Sequence, residues 1–138
     1  MRIPASIIIM LALTGAAQPQ GAAPIEGLWK NPIGSAIIAI APCGGAFCGK
    51  VVWASARGRR EVSQNTSQIV GTTVLTDVRL AHGKWIGSLY IPDDDIHVAA
   101  HLQPAGKTQM KLTGCGLWGL FCRTQIWSRV DSLPPRDG

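Results

Sequence analysis

Four cysteines, three histidines and a few clustered charges are the residues of this 138-residue chain best suited to chemistry. Cys43 and Cys48 enclose Gly44-Gly45-Ala46-Phe47, and Cys115 and Cys122 enclose GLWGLF at residues 116–121. Each pair sits between two strand-like runs, so each can lie across the neck of a hairpin. Pairing Cys43–Cys48 and Cys115–Cys122 is the first expectation; cross-pairing stays open if the two turns share one end of a barrel. A four-cysteine zinc site fits poorly, because C-x4-C and C-x6-C differ from the usual C-x2-C knuckles. A redox-active pair would call for C-x-x-C, which the sequence lacks.

The remaining candidates point to solvated surface. His97 and His101 are four residues apart on a strand-like run, about 13 Å at ~3.3 Å per residue, too far to share one ion. Asp93-Asp94-Asp95 lacks the ligand spacing of calcium loops and reads as a turn. Arg57, Arg59 and Arg60, with Lys50, have the charge to steer an anion or touch phosphates at a membrane surface, but read as a solvated loop. No G-x-S-x-G elbow, H-E-x-x-H, Walker or dinucleotide motif is present. No catalytic residues, metal or cofactor are expected, and the chain does not read as an enzyme.

Composition narrows the class. Apolar residues make up 46% and charged residues 15%, which excludes a disordered chain and a coiled coil. Residues 1–17 read as a secretory signal: Arg2, an apolar run at residues 7–13, then Gly15 and Ala17 before a cut near Ala17. That run is far short of the ~20 residues of a membrane span. Export to the periplasm or medium follows, and an even cysteine count there favours two disulfides. Loss of Arg2 would leave 12 of the 13 Lys+Arg against 8 Asp+Glu, mildly basic and not a nucleic-acid footprint. Residues 18–24 read as a flexible leader, 25–130 as the domain and 131–138 as a frayed tail. Oligomeric state is not legible.

Turns and alternation dominate the domain. Residues 35–41 (SAIIAIA) read as a strand ended by Pro42, with residues 48–54 as its partner. Residues 55–68 are polar, the longest connection, with room for a short helical turn. Further strands are read at 70–78, 84–91, 96–103, 107–114 and 122–130, and a short one at 25–30. Ile96, Val98, Ala100 and Leu102 alternate with His97, Ala99, His101 and Gln103. Seven or eight short antiparallel strands in this length close as a small up-and-down barrel, all-β, with a sandwich as the alternative.

Gly27-Leu28-Trp29 near the start and Trp127-Ser128-Arg129-Val130 at the end resemble the lipocalin and wider calycin pattern. There the Arg lies across the Trp ring and shuts one end of the barrel, which implies that closure for Trp29 and Arg129. The chain more closely resembles a bacterial family of small exported domains, the domain of unknown function numbered 2147. The stretches that carry the likeness are IEGLWKNP at 25–32, APCGGAFCGKVVW at 41–53, IVGTTVL at 69–75, Trp85, Tyr90 and Pro92, and CRTQIWSRV at 122–130. It departs where the family often has Asp before that proline and Gly three residues after it; here stand Ile91 and Asp95. An aromatic is also common where Val98 stands. The resemblance implies a lipocalin-like barrel and, by analogy, a small apolar ligand inside it.

Alternation supplies the candidate lining. With Lys50 outward, Val51 and Trp53 point in, joined by Ile96, Val98, Ala100, Leu102, Met110 and Leu112. Strand 84–91 is ambiguous, since Trp85, Leu89 and Ile91 oppose Ile86 and Tyr90. Trp118 and Phe121 are placed to line a mouth or cap the core. The candidate ligand-contacting set is Trp53, Trp85, Tyr90, Val98, Met110 and Trp118. The alternative function is an envelope interaction or structural module with a filled barrel, using loops 55–69 and 115–122.

Overall fold

The computed structural model describes residues 22–135. The signal segment 1–17 and the last residues of the tail lie outside them. Eight antiparallel strands close in chain order into one barrel: β1 (Gly27–Lys30), β2 (Ala36–Cys43), β3 (Ala46–Ala54), β4 (Thr73–Ala81), β5 (Lys84–Ile91), β6 (Ile96–Ala105), β7 (Gln109–Gly116) and β8 (Phe121–Val130). One short helix, α1 (Ala56–Glu61), lies in the long β3–β4 connection. The all-β up-and-down barrel read from the sequence is the fold, with the short first strand included; the sandwich alternative is displaced.

Turn chemistry sets the hairpins. Gly44 and Gly45, with φ of 59° and 84°, make a two-residue β2–β3 turn. Residues 46 and 47, expected in the loop, are therefore strand. Pro42 does not end β2; it pairs with Phe47 beyond Ile40, the last β2 residue facing β1, so its missing N–H costs no ladder bond on that side. His82 and Gly83 turn β4 into β5 in the same way, at φ 50° and 77°. The pairings Cys43–Cys48 and Cys115–Cys122 are both formed. Cys115 and Cys122 oppose each other directly across the β7–β8 hairpin.

Register shifts in β2–β3, β3–β4 and β4–β5 bend the sheet toward closure. In β4–β5 the shift carries Val78 against Gly87, where a Cβ would lie 2.8 Å from Val78 Cγ2 and from the Thr76 carbonyl oxygen. Val78 is fully buried as a result.

The interior is packed at the end where β1 begins. Ile25, Trp29 and Met110 are completely buried there. Trp29 donates its indole N–H to the Ile25 carbonyl at 2.9 Å. Arg129 faces Trp29 across the β1–β8 seam, its guanidinium carbon 4.3 Å from the ring centroid. The same guanidinium donates to three carbonyls in two segments: Lys107 at 2.8 Å in the β6–β7 turn, and Glu26 at 2.6 Å and Pro24 at 2.9 Å in the chain leading into β1. Ala23 and Pro24, read as leader, are thus engaged: Ala23 packs on the core and Pro24 is held by Arg129. Gly27 completes the cap. Its φ is +125°, and a Cβ there would collide with Arg129 Nη1.

Removing this cap loses a stacked cation and three charge-assisted hydrogen bonds. Arg129→Ala should lower stability by about 2–4 kcal/mol. Arg129→Lys should recover little of it, because an ammonium cannot match the planar fork. Gly27→Ala should cost more than about 1 kcal/mol, since the new residue cannot relax at positive φ. Denaturant melts of the three variants measure this; midpoints equal to the wild type would contradict the closure.

Candidate functional site: the cavity at the open end of the barrel

The opposite end is not packed. A cavity of about 640 Å³ opens there, ringed by the β1–β2 turn, α1 and the chain after it, the β5–β6 turn and the β7–β8 turn. Its wall is apolar: Ile38, Val51, Val74, Leu89, Val98 and Leu112. Space is left because β7 turns small residues inward. A Cβ on Gly114 would come within 3.2 Å of Val98 Cγ2, and one on Gly116 would meet nothing nearer than Val98 Cγ1 at 3.7 Å. A second, shallower hollow of about 340 Å³ lies over β4–β6 and includes Asp77, Arg79 and His101.

The mouth is built by local hydrogen bonding. Asn31 accepts the backbone N–H of Ser35 at 2.8 Å and of Ala36 at 3.1 Å, which shapes the β1–β2 turn. Ser55 caps α1 by accepting the Gly58 N–H at 3.0 Å. Gly58 sits so close to Ser35 that a Cβ would lie 2.6 Å from its carbonyl oxygen. The helix is thereby docked on the turn. Past it, Val62 and Ile69 are buried in the core, so the polar connection 55–68 closes part of the barrel end instead of lying wholly in solvent.

Polar groups are few and lie toward the mouth. Arg123 and Gln125 project from β8 into the lining; Gln125 accepts the Trp127 indole N–H at 3.0 Å. Glu61, Asp93 and Asp94 border the opening, with Glu61 paired to Arg57 at 2.8 Å. Asn65 clamps the β5–β6 turn by donating to the Pro92 carbonyl at 2.8 Å and the Asp93 carbonyl at 3.0 Å. Partial burial, reinforced by the charges of Glu61 and Asp94, holds the Asp93 carboxyl above its ordinary range.

The six residues expected to contact a ligand are dispersed. Val98 lines the cavity wall, and Tyr90 borders it. The Tyr90 ring stacks on His97 with centroids 4.8 Å apart, and its hydroxyl donates to Asp95 Oδ1 at 2.7 Å. That bond keeps the phenol above its ordinary range. Met110 is fully buried in the packed end, and Trp85 fills space beside Phe47, edge to face at 5.5 Å. Neither reaches the cavity. Trp53 points away from it. An extra residue, Val52, lies between the pairs Ile38–Val51 and Ile37–Trp53, which moves Trp53 to the face opposite Val51. Trp118 is fully exposed at the tip of the β7–β8 turn, while its neighbours Leu117 and Phe121 line the mouth. Arg123, Gln125 and Trp127 were not singled out as lining; the i, i+2 spacing of β8 was the available signal.

That turn is strained. Leu117, Trp118 and Gly119 have φ of 48°, 55° and 83°. For a residue with a Cβ this region costs roughly 1–2 kcal/mol. The Cys115–Cys122 bridge at its base holds it in place. Among the described residues no group of three His, Cys, Asp or Glu gathers as a metal site, and no helix is long and apolar enough to cross a membrane.

Comparison with known proteins follows the same geometry. The sequence matches the family described as uncharacterized protein conserved in bacteria (DUF2147) over residues 27–129. The chain belongs to the DUF2147 family. The matched interval begins at Gly27 and ends at Arg129, the two residues that meet in the closing cap. The barrel is also similar to a solved structure, protein HP1028 from Helicobacter pylori, described as belonging to the lipocalin family. The TM-score is 0.57 at 15% identity, covering 77% of this chain and 82% of that one. At that identity the likeness is one of fold. No curated protein matches the sequence. The β5–β6 turn ends on a residue at positive φ, three positions after its proline. Asp95 there has φ 52°, a conformation that Asp tolerates better than most residues, and its carboxylate takes the Tyr90 hydroxyl bond.

The raised Asp93 gives a test of the mouth. The folded protein resists ionising this carboxyl, so its charge costs stability at neutral pH, and the cost is relieved as pH falls through the raised value. Asp93→Asn should therefore melt higher than the wild type at neutral pH. The two curves should converge below about pH 3. Thermal melts across that range measure it; a constant offset at all pH values would contradict the assignment.

Proposed function

We propose that this DUF2147 barrel is a carrier or scavenger of a small apolar molecule, held in the open-end cavity and acting in the periplasm without catalysis. The observation that carries the reading is the division of the interior. One end is sealed by Trp29 and Arg129 over a packed core, while the other keeps about 640 Å³ walled by aliphatic side chains and open at its mouth. That volume lies within the ~300–1,000 Å³ of small-molecule sites, and the few polar groups stand where a ligand's polar end would emerge. The two disulfides suit an oxidising compartment.

Displacement of an apolar fluorescent probe tests the proposal. The wild type should bind the probe in a one-to-one ratio. Gly116→Trp introduces a large side chain into the upper cavity, where an added Cβ meets only Val98. It should weaken probe binding at least tenfold with the melting temperature within a few degrees of wild type. Native mass spectrometry of protein purified from its own periplasm should show a co-purifying small molecule. An absence of both probe binding and any co-purified species would overturn the carrier reading.

A further inference from the structure

We infer that the β7–β8 turn docks the barrel on an anionic lipid surface, with Trp118 and Leu120 entering the interfacial layer. The turn and its edge expose Leu117 at 65%, Trp118 at 100%, Leu120 at 77% and Phe121 at 67%. Only Gly119 interrupts them, and the sole polar side-chain group among the five residues is the indole N–H. An indole with an apolar body and one donor is suited to the boundary between headgroups and acyl chains.

Two features, the narrow tip and the cations beside it, favour a bilayer over a protein partner, and the disulfide lowers the cost of insertion. The apolar surface is the tip of a hairpin closed by four residues, 117–120, too narrow to supply the ~800 Å² per side of a standard protein interface; a fluid bilayer needs no complementary shape. The Cys115–Cys122 bridge already orders the turn, so insertion carries little further ordering cost. Cations stand at the same end: Arg123, two residues along β8 from Phe121, and Arg59 and Arg60 on α1, all exposed. They suit lipid phosphates. Asp93 and Asp94 occupy the neighbouring β5–β6 turn, which makes the contact one-sided and shallow, led by the tip.

The tip is also continuous with the interior. Leu117 and Phe121 belong both to the exposed turn and to the cavity lining. An apolar molecule could pass between the acyl chains and the cavity along a path that stays apolar. The docking itself depends on the exposed turn and not on the cavity being occupied.

The test uses the full mature protein with disulfides intact and vesicles of phosphatidylethanolamine and phosphatidylglycerol. The wild type should sediment with the vesicles, and its tryptophan emission should shift to the blue. The double variant Trp118→Ala/Leu120→Ser should lose at least tenfold in vesicle partitioning and most of the emission shift. Its melting temperature and its probe affinity in buffer should stay at wild-type values. Arg123→Gln should weaken partitioning and flatten its dependence on salt. The inference is overturned if the wild type stays in the supernatant, if the double variant sediments equally well, or if the turn instead drives a Trp118-dependent dimer with no vesicle binding. If probe binding fails while vesicle binding persists, the carrier reading falls and the docking stands.

Discussion

The barrel depends on one seam, where β8 meets β1. β1 has four residues, and only Leu28, Trp29 and Lys30 pair with β8. Without that contact the sheet would have two open edges, with unpaired N–H and C=O groups and an uncovered core. Three ladder positions are a thin closure, and Arg129 thickens it. Its guanidinium lies over Trp29 and gathers carbonyls from the incoming chain and from the β6–β7 turn. The G-x-W sequence follows from this: Trp29 supplies the ring, and Gly27 leaves room for the cation that covers it.

Closing one end lets the other stay open. Buried side chains fill the region around Trp29 and Met110, whereas Trp127, Ile38, Val51 and Leu112 are buried along the wall of the open half. Toward the mouth, β8 extends past β1, and residues 121–127 have no β1 partner. That half of the β7–β8 hairpin is supported mainly by β6 and by the Cys115–Cys122 bridge. The bridge therefore does a task that core packing does elsewhere in the barrel. It steadies a hairpin whose inner face looks onto space.

Legibility varied with the regularity of the backbone. β6 runs without a register shift against β5 and β7, and its alternation located Val98, Ala100 and Leu102 on the inner face. β3 carries a bulge at Val52, and the same rule placed Trp53 inside when it lies on the other face. A single extra residue inverts parity, and nothing in VVW marks it. Alternation puts Met110 on the inner face but says nothing about depth along the barrel axis, and it leaves the face of Trp85 open, so neither residue's distance from the cavity is legible. Val62 and Ile69 lie in a stretch too polar to suggest burial, and only tertiary docking of α1 through Gly58 brings them over the core. The cysteine pairs were legible because both disulfides are local to their hairpins.

The position of the polar groups bears on what the cavity can hold. A wholly polar molecule would leave the aliphatic wall without partners, and a pure hydrocarbon would remove water from Arg123 and Gln125 without replacing its hydrogen bonds. On the carrier reading proposed above, both penalties are smallest for a mainly apolar molecule lying against Leu89, Val98 and Leu112, with any polar group of its own among the mouth residues.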